Sequence, residues 1–544
     1  MLKRTLLVLL AIGNGIAQHS HTPSSESGPA PLISGLGHMH HTVTTSKPEA
    51  QRYFDQGLTL IYAFNHDEAA RSFRYAASID PQCAMAFWGV ALAVGPNYND
   101  IDIDMSRQKA AVEALQKALA VAGKASEQDQ AYVNALAKRF SADPNADRKQ
   151  LFVDYKEAMG DVMHRYPQDL DAAVLYAESM MDLHPWLLWN SNGQPEEGTL
   201  EIIAVLEGVL KRDPNHIGAN HFYVHATEAS PHPERASLSA ERLKTLAPAA
   251  GHLVHMPAHT LIRTGDYHGA SIANEKAAAA DEAYIKKYKG TGMYSVMYYS
   301  HNLHFLAVSS SMEGDFKTAH SAAERLVAGM QPYLKENPMA DWFVPTRTHI
   351  LVRFHRWDDI QKLSEPDKDL KMTHAFWRFS RGMALSSTGQ LDQAAAERAA
   401  LAAERDAIPA DTLLGFNPVR KLLDLSALML DANIARANKD YKKAADLLNQ
   451  AALAEDALNY DEPPDWYMPP RESLGAVLLL DGRTGEAEAV FRAELKAHAK
   501  NPRALFGLAE CLDAQSKKDE AAKVRAEFTA GWKYADIKLT IAEL

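Results

Sequence analysis

The stretch AQRYFDQGLTLIYAFNHDEAARSFRYAASIDPQC, residues 50–83, decides the fold. Gly57 and Ala69 are small enough to let two antiparallel helices approach closely, and Phe73 is large enough to fill the gap between them. Pro81 ends the second helix because it cannot supply the next backbone N–H of the hydrogen-bond ladder. The stretch therefore predicts a helix, a short turn and a second helix packed against the first.

This arrangement resembles the 34-residue tetratricopeptide repeat. Stacked units of this kind share a continuous core and curl into a superhelix with a concave groove. The sequence therefore predicts an all-α fold, a tetratricopeptide-like α-solenoid made of antiparallel helix pairs. The same template fits again with small residues at Ala258 and Ala270, Ala307 and Ala319, Gly382 and Ala394, Ala432 and Ala444, Gly475 and Ala487, and Ala509 and Ala521.

Composition and repeat phase divide the chain into five segments. A short signal and a flexible lead-in precede three groups of repeats, and the repeat phase is weakest in the first group. The predicted segments are a signal peptide at 1–17, a His/Ser/Pro-rich lead-in at 18–47, N-terminal repeats at 48–216 with an inserted loop at 183–198, His-rich central repeats at 217–360 and C-terminal repeats at 361–544.

The first residues have the composition of a secretory signal. Lys3 and Arg4 precede an apolar stretch that is too short to span a bilayer, and small residues favour cleavage after Ala17. No later apolar run reaches transmembrane length. The sequence therefore predicts a secreted or periplasmic protein without a membrane span.

Charge and cysteine content exclude other classes. The formal net charge is -12, which is unlike the basic surface of nucleic-acid-binding proteins and excludes a nucleic-acid partner. The two cysteines, Cys83 and Cys511, lie far apart among apolar residues, so we predict buried thiols and no disulfide framework. His38, His40 and His41 precede the first repeat and are expected on a solvated arm.

Eight ionisable side chains recur at helical spacing in three consecutive repeats. Steps of three and four residues place side chains on one face of a helix. In each repeat these side chains lie on the first helix, at places that face the groove in tetratricopeptide repeats. The eight predicted metal ligands are His221, His225, Glu228, His252, His255, His259, His301 and His304.

Convergence of these imidazoles in one groove predicts a binding site. Imidazole suits Zn, Cu and Fe, and a three-histidine set leaves a coordination position open for water or substrate. Tyr223, Arg263 and Tyr298 lie nearby in sequence, and His349 takes a groove-facing place in the following unit, so these four residues are predicted to contact a bound ligand.

Pro257 interrupts the second His-rich helix, where it kinks the helix or delays its start.

The chain also resembles a group of exported bacterial tetratricopeptide-repeat proteins. The resemblance lies in residues 43–46 (VTTS), 62–66 (YAFNH), 95–99 (GPNYN) and 251–259 (GHLVHMPAH). It implies the fold and export, and it implies no particular chemistry.

Three functional hypotheses remain open from the sequence. The first is an exported binding protein that holds a peptide, protein or small-molecule ligand at a metal-loaded histidine site in the groove. The second is a metalloenzyme, hydrolytic or oxidative, that uses the same site. The third is a metal-free scaffold for protein–protein interaction, in which the histidines bind a ligand directly or only stabilise the fold.

Overall fold

The computed structural model describes residues 30–288, 294–335 and 339–544. Within these ranges the chain is helical apart from one two-stranded hairpin of two-residue strands, so the all-α prediction is confirmed. The predicted signal peptide, 1–17, lies outside the described residues. Cys83 and Cys511 are buried free thiols, as predicted.

The helices follow one another as antiparallel pairs. The first third contains α1 (Pro48–Tyr62), α2 (His66–Ile79), α3 (Ala84–Val94), α4 (Met105–Ala122), α5 (Glu127–Leu136), α6 (Arg148–Arg165), α7 (Leu170–Met181), α8 (Thr199–Arg212), and a 3₁₀ turn at Ala137–Arg139. The centre contains α9 (Ile217–Glu228), α10 (Ser237–Leu246), α11 (Gly251–His255), α12 (Pro257–Thr264), α13 (Tyr267–Tyr288), α14 (Tyr299–Glu313), α15 (Phe316–Met330), α16 (Ala340–Phe343), α17 (Pro345–Arg353) and α18 (Trp357–Lys362), with a 3₁₀ turn at Pro233–Ala236 and a π-helical turn at Tyr294–Tyr298.

The last third continues the same pattern around a small hairpin. It contains α19 (Lys371–Ser387), α20 (Leu391–Ala407), β1 (Leu413–Leu414), β2 (Asn417–Pro418), α21 (Val419–Ala437), α22 (Tyr441–Asp456), α23 (Pro470–Leu480), α24 (Thr484–Ala497), α25 (Pro502–Ala514), α26 (Lys518–Gly531) and a 3₁₀ turn at Ile541–Glu543.

Local sequence explains where many of these helices begin and end. Asn65, Asp315 and Asp440 cap α2, α15 and α22 by accepting a backbone N–H three residues further on, which stabilises each helix by about 1 kcal/mol. Gly265 and Gly314 end α12 and α14 with φ of 80° and 85°, values that glycine adopts without strain.

An aromatic wedge between two glycines holds the first repeat together. The buried Phe73 ring lies against Gly57 and Gly89, where an added Cβ would lie 2.7 Å and 2.3 Å from its carbon atoms. Phe491 occupies the equivalent place near the other end of the chain, between Gly475 and Gly507. In both cases the glycines precede and follow the aromatic residue by sixteen positions, as the repeat template requires.

The described part of the lead-in, residues 30–47, is packed against the repeats and does not form the flexible segment that the sequence predicted. His41 Nδ1 lies 2.8 Å from Asp171 Oδ2, and the Thr44 N–H donates to Asp129 Oδ2 at 2.8 Å. Both carboxylates lie near the starts of helices, so the arm crosses a row of acceptors at one edge of the solenoid.

The superhelix closes on itself, which the sequence did not predict. Asp536 accepts the N–H of Phe316 at 2.8 Å, so the C-terminal segment caps α15 from outside its own repeat. Tyr267 donates to the carbonyl of Ala499 at 3.0 Å, and the buried Arg353 pairs with Glu472. The C-terminal repeats therefore lie against the central ones, and the concave surface becomes an interior.

The cores do not follow the boundaries drawn from the sequence. One core cluster runs from Ala30 to Met256 and so crosses the predicted boundary after residue 216, while another extends from Leu351 to Leu544. Each helix pair buries its apolar face against both neighbours, so core packing continues through repeats that differ in composition. No helix in the described ranges combines the length and hydropathy of a membrane span.

Replacing Gly89 with alanine should destabilise the protein by about 1–3 kcal/mol, because the new methyl group overlaps the Phe73 ring. Gly208 provides a matched control, since it lies within α8 with no atom near its added Cβ, and Gly208→Ala should stabilise by about 0.5–1 kcal/mol. Urea unfolding of both variants measures the difference. Equal effects of the two substitutions would contradict the wedge.

Replacing His41 with alanine should weaken the arm in a pH-dependent way. Burial lowers the His41 pKa, but the hydrogen bond and charge of Asp171 outweigh it and raise the pKa from 6.5 to about 9. The charged pair therefore stabilises the fold fully below pH 6.5, and this contribution is lost as the pH rises through 9. At pH 6 the loss of free energy of unfolding should be about 3 kcal/mol, and at pH 10 it should be smaller.

The neighbouring His40 is the control for this experiment. Its side chain is exposed and pairs with Asp55 at the surface, so His40→Ala should change the free energy of unfolding by less than about 0.5 kcal/mol at either pH. Limited proteolysis of the arm should accelerate only in His41→Ala. A pH-independent effect of His41→Ala would show that packing, not the charged pair, holds the arm.

Candidate metal centre

Six of the eight predicted ligands lie together in the interior. α9, the broken helix α11–α12 and α14 are the first helices of three successive pairs and lie side by side. Their imidazoles form two groups, and in each group one ring nitrogen per residue lies within 4.8 Å of the other two. Triad A consists of His221, His225 and His252, and triad B consists of His255, His259 and His301.

Triad A gathers around Nε2 of His221. His221 Nδ1 lies 2.7 Å from the backbone oxygen of Tyr62, and because a carbonyl only accepts, Nδ1 carries the proton and Nε2 the lone pair. That Nε2 lies 3.0 Å from Nε2 of His252. His225 Nε2 and His252 Nδ1 are buried without a hydrogen-bond partner in the described part of the chain. Two of the ring nitrogens of triad A thus lack a partner that the protein supplies.

Triad B contains a closer pair of nitrogens. His255 Nδ1 lies 2.7 Å from Oδ1 of Asn274, whose amide orientation is fixed because its Nδ2 donates to the Ala270 carbonyl. His255 Nε2 therefore bears a lone pair, and it faces His259 Nε2 at 2.8 Å. The His301 ring lies across the edge of His255, with ring centroids 4.7 Å apart.

Glu228 links the two triads. Its Oε1 lies 3.0 Å from His225 Nδ1, and its Oε2 lies 2.6 Å from His259 Nδ1, a close contact whose angle does not suit a hydrogen bond. A carboxylate beside each Nδ1 favours a proton on that nitrogen and leaves Nε2 as the donor atom to a metal. Anchoring of Nδ1 to a carbonyl or carboxylate is typical of metal-binding histidines. Glu228 therefore lies behind the histidines, where it orients the rings of His225 and His259.

Burial and mutual repulsion keep most of these histidines neutral. Burial lowers the pKa of His221, His252 and His301 well below 6.5, and the neighbouring imidazoles lower it further. Burial also lowers the His259 pKa, but Glu228 outweighs it and the net shift is upward. The opposite holds for Glu228, whose pKa falls to about 2 despite burial because His259 and His225 favour the carboxylate. Neutral imidazole is the form that binds metal.

Aromatic side chains from distant segments cover triad A. The Phe64 ring centroid lies 4.5 Å from that of His221 and 5.2 Å from that of His252, and Trp186 lies against His225 at 5.5 Å. Phe64 and Trp186 both have positive φ, 54° and 62°, a conformation that costs a residue other than glycine about 1–3 kcal/mol. The fold therefore tolerates strain at the two residues that seal this triad.

The sequence predicted a concave groove without deciding whether the solenoid is open or closed, and the structure encloses the site. Loop 183–198, which lies between α7 and α8, brings Trp186 to 5.4 Å from Phe416 of the C-terminal hairpin. Because the superhelix closes, the inward faces of the first helices meet protein from the other side. Five of the six histidines are at most 2% exposed, while His301 is partly exposed.

The predicted auxiliary residues divide into two groups. Tyr298 lies 4.9 Å from the His252 ring and belongs to the site, and the Arg263 Nε–H donates to the Glu228 carbonyl at 3.1 Å. Tyr223 does not belong to the site. Its side chain lies on another face of α9, where its hydroxyl donates to Glu207 of α8.

His304, which the sequence predicted as a metal ligand, and His349, which it predicted to contact a bound ligand, both lie outside the triads. Each lies against Tyr467, with ring centroids 6.0 Å and 5.7 Å apart, and burial lowers the pKa values to about 4 and about 3. His304 is one helical turn beyond His301, which is enough to carry its ring past triad B. The helix face was right, but its position along the helix was not.

Sequence reasoning missed the partners that orient and cover the ligands. Asn274 and the carbonyl of Tyr62 fix two tautomers, and Phe64, Tyr98 and Trp186 form the cover. A signal was present for some of them: residues 62–66 and 95–99 are among the motifs that carry the sequence resemblance, and the structure brings both segments to triad A.

Comparison with known proteins identifies no family for this chain. No family model and no curated protein matches the chain. Solved structures match it weakly, so no argument rests on them. The tetratricopeptide domain of P58(IPK) is 9% identical over 86% of this chain and 99% of that one, with a TM-score of 0.22. Yeast Tom70 is 11% identical over 87% and 90% (TM-score 0.26), and a chain of the APC/C hetero-tetramer Cut9–Hcn1 is 14% identical over 85% and 76% (TM-score 0.29).

Proposed function

We propose that this protein is an exported transition-metal-binding protein whose buried histidine cluster holds zinc, copper or iron. The observation that carries the proposal is the 2.8 Å separation of His255 Nε2 and His259 Nε2, two nitrogens whose Nδ1 atoms both face acceptors. Neutral imidazoles in these tautomers direct lone pairs at each other. Such a pair is stable only with a cation between the nitrogens or with a proton on one of them.

The chemistry of the surrounding donors favours a metal ion. Two nitrogens bound to one tetrahedral zinc lie about 3.3 Å apart when each Zn–N bond is about 2.0 Å, and the observed pair needs little movement to reach that spacing. A shared proton satisfies this pair but leaves His225 Nε2 and His252 Nδ1 buried and unpartnered, at a cost of about 1–3 kcal/mol each. A metal ion held by triad A would take up the His225 Nε2 lone pair.

Elemental analysis of the purified chain tests the proposal. We expect Zn, Cu or Fe at one or more equivalents, and metal added at 100 times its Kd should raise the free energy of unfolding by about 2.7 kcal/mol. His255→Gln should lower the metal content, and His349→Gln should not, because His349 lies outside both triads. Protein that binds none of the three metals would contradict the proposal and leave a protonated His259 between His255 and Glu228.

Metal-dependent catalysis is the second candidate function, and the partial exposure of His301 favours it. A hydrolytic zinc site or an oxidative copper or iron site needs a coordination position that substrate can reach. Turnover of a chromogenic ester by zinc-loaded protein, or of a phenol by copper-loaded protein in air, would distinguish an enzyme from a binding protein. The partner in the absence of metal would be a protein or peptide, as in the scaffold hypothesis.

Export rests on residues 1–17 and on the resemblance to exported repeat proteins. Expression of the full chain in a bacterial host should yield a periplasmic product that begins at Gln18. N-terminal sequencing of the protein from each cell fraction gives the answer. Retention of Met1 in the cytoplasm would contradict export without affecting the metal site.

A further inference from the structure

Six imidazoles are more than one ion requires. A tetrahedral zinc ion takes four ligands, and three histidines with one open position form a common catalytic set. The donor atoms here fall into two groups of three, each within 4.8 Å. The groups are neighbours, since the rings of His225 and His259 have centroids 5.4 Å apart, and Glu228 contacts both. The cluster thus has the donors for two ions and a carboxylate between them.

The two triads differ in access. His221, His225 and His252 are all at most 2% exposed, beneath Phe64 and Trp186. Triad B is less covered, because His301 is partly exposed and, in the described part of the chain, its ring contacts are with His255, His259 and Phe305. An ion in triad A would be sealed from solvent, whereas an ion in triad B would have a free position toward the side on which His301 is exposed.

Arg263 provides a cation on the same helix as His259 of triad B. It lies four residues after His259 on α12, so the two side chains share a helix face. Its Nε–H donates to the backbone carbonyl of Glu228. Nη1 and Nη2 have no hydrogen-bond partner among the residues that the structure describes. The side chain lines a cavity of about 180 Å³, and its guanidinium lies 5.5 Å from the centroid of Tyr460. A free guanidinium edge matches a carboxylate or another small anion.

The acidic side chains of the same cavity do not cancel this charge. Glu462 accepts a hydrogen bond from the Tyr460 hydroxyl and Glu455 pairs with Arg471, so among the described residues neither carboxylate is hydrogen-bonded to Arg263. Burial raises the pKa values of Asp461 and Asp465, and these two groups accept hydrogen bonds from the neighbouring hairpin. Arg263 therefore remains available to an anion.

We infer that the cluster is a two-ion centre with unequal sites: an enclosed ion in triad A, and an ion in triad B whose open position binds a small anion that Arg263 also contacts. This inference rests on the proposed function, since it requires metal binding. It assigns structural stabilisation to the first ion and ligand binding to the second.

Cobalt-loaded protein tests the inference, because the visible spectrum of Co²⁺ reports a change of ligands. We expect two Co²⁺ per chain, removal by a chelator in two phases of equal amplitude, and a spectral response to azide from one ion only. His301→Gln should keep one slowly removed ion and lose the azide response. His252→Gln should keep one rapidly removed ion that still responds to azide.

Two further variants control for indirect effects. His304→Gln changes a partly exposed histidine of the same helix that lies outside both triads, so it should keep two ions and the azide response. Arg263→Gln should keep both ions but weaken azide binding about tenfold or more, and Arg263→Lys should restore part of it.

The outcomes separate this inference from the proposed function. Protein without any bound metal contradicts both. A single ion that is lost equally in His252→Gln and His301→Gln overturns the two-ion centre and leaves metal binding intact. Two ions that are removed at one rate, or an azide response that Arg263→Gln does not change, overturn the unequal roles.

Discussion

The close stacking of three first helices is the constraint on which the site depends. α9, α11–α12 and α14 lie side by side because the second helix of each pair packs behind them, as α13 does against both α11 and α14. Small residues at the helix contacts permit this spacing, and Ala258, Ala270 and Ala307 are completely buried there. Histidines one helix apart therefore approach within hydrogen-bonding distance, as His221 and His252 do.

The break at Pro257 adjusts this stacking locally. α11 ends at His255 and α12 begins at Pro257, so the helix is interrupted between two ligands of triad B. His252 lies toward α9, with its Nε2 3.0 Å from His221 Nε2, while His255 and His259 face each other with Nε2 atoms 2.8 Å apart. The proline thus interrupts the helix within triad B, between His255 and His259, whereas His252 and His255 share α11.

Much of the fold and of the candidate site follows from the sequence alone. The small and aromatic residues around Phe73 predict the helix pair, and helical spacing selects six histidines that do converge. Burial was not predictable in the same way, because it depends on contacts between residues far apart in sequence, such as Asp536 with the start of α15. Tyr223 shows that closeness in sequence does not place a residue in the site. It lies two residues after His221, so its side chain is on a different face of the helix, and its hydroxyl contacts Glu207.

Metal-free burial of this cluster is costly, and that cost is the strongest physical argument about its role. Burial lowers the pKa of most of the imidazoles, so they enter the interior neutral, and only Glu228 with His259 forms a charged pair. A core of this volume is more simply filled with leucine and phenylalanine, which leave no unpartnered nitrogen. The strained backbone at Phe64 and Trp186 adds a further cost at the same place. A bound cation, as proposed, would offset the cost of the unpartnered nitrogens, because it would accept the inward lone pairs and attract Glu228.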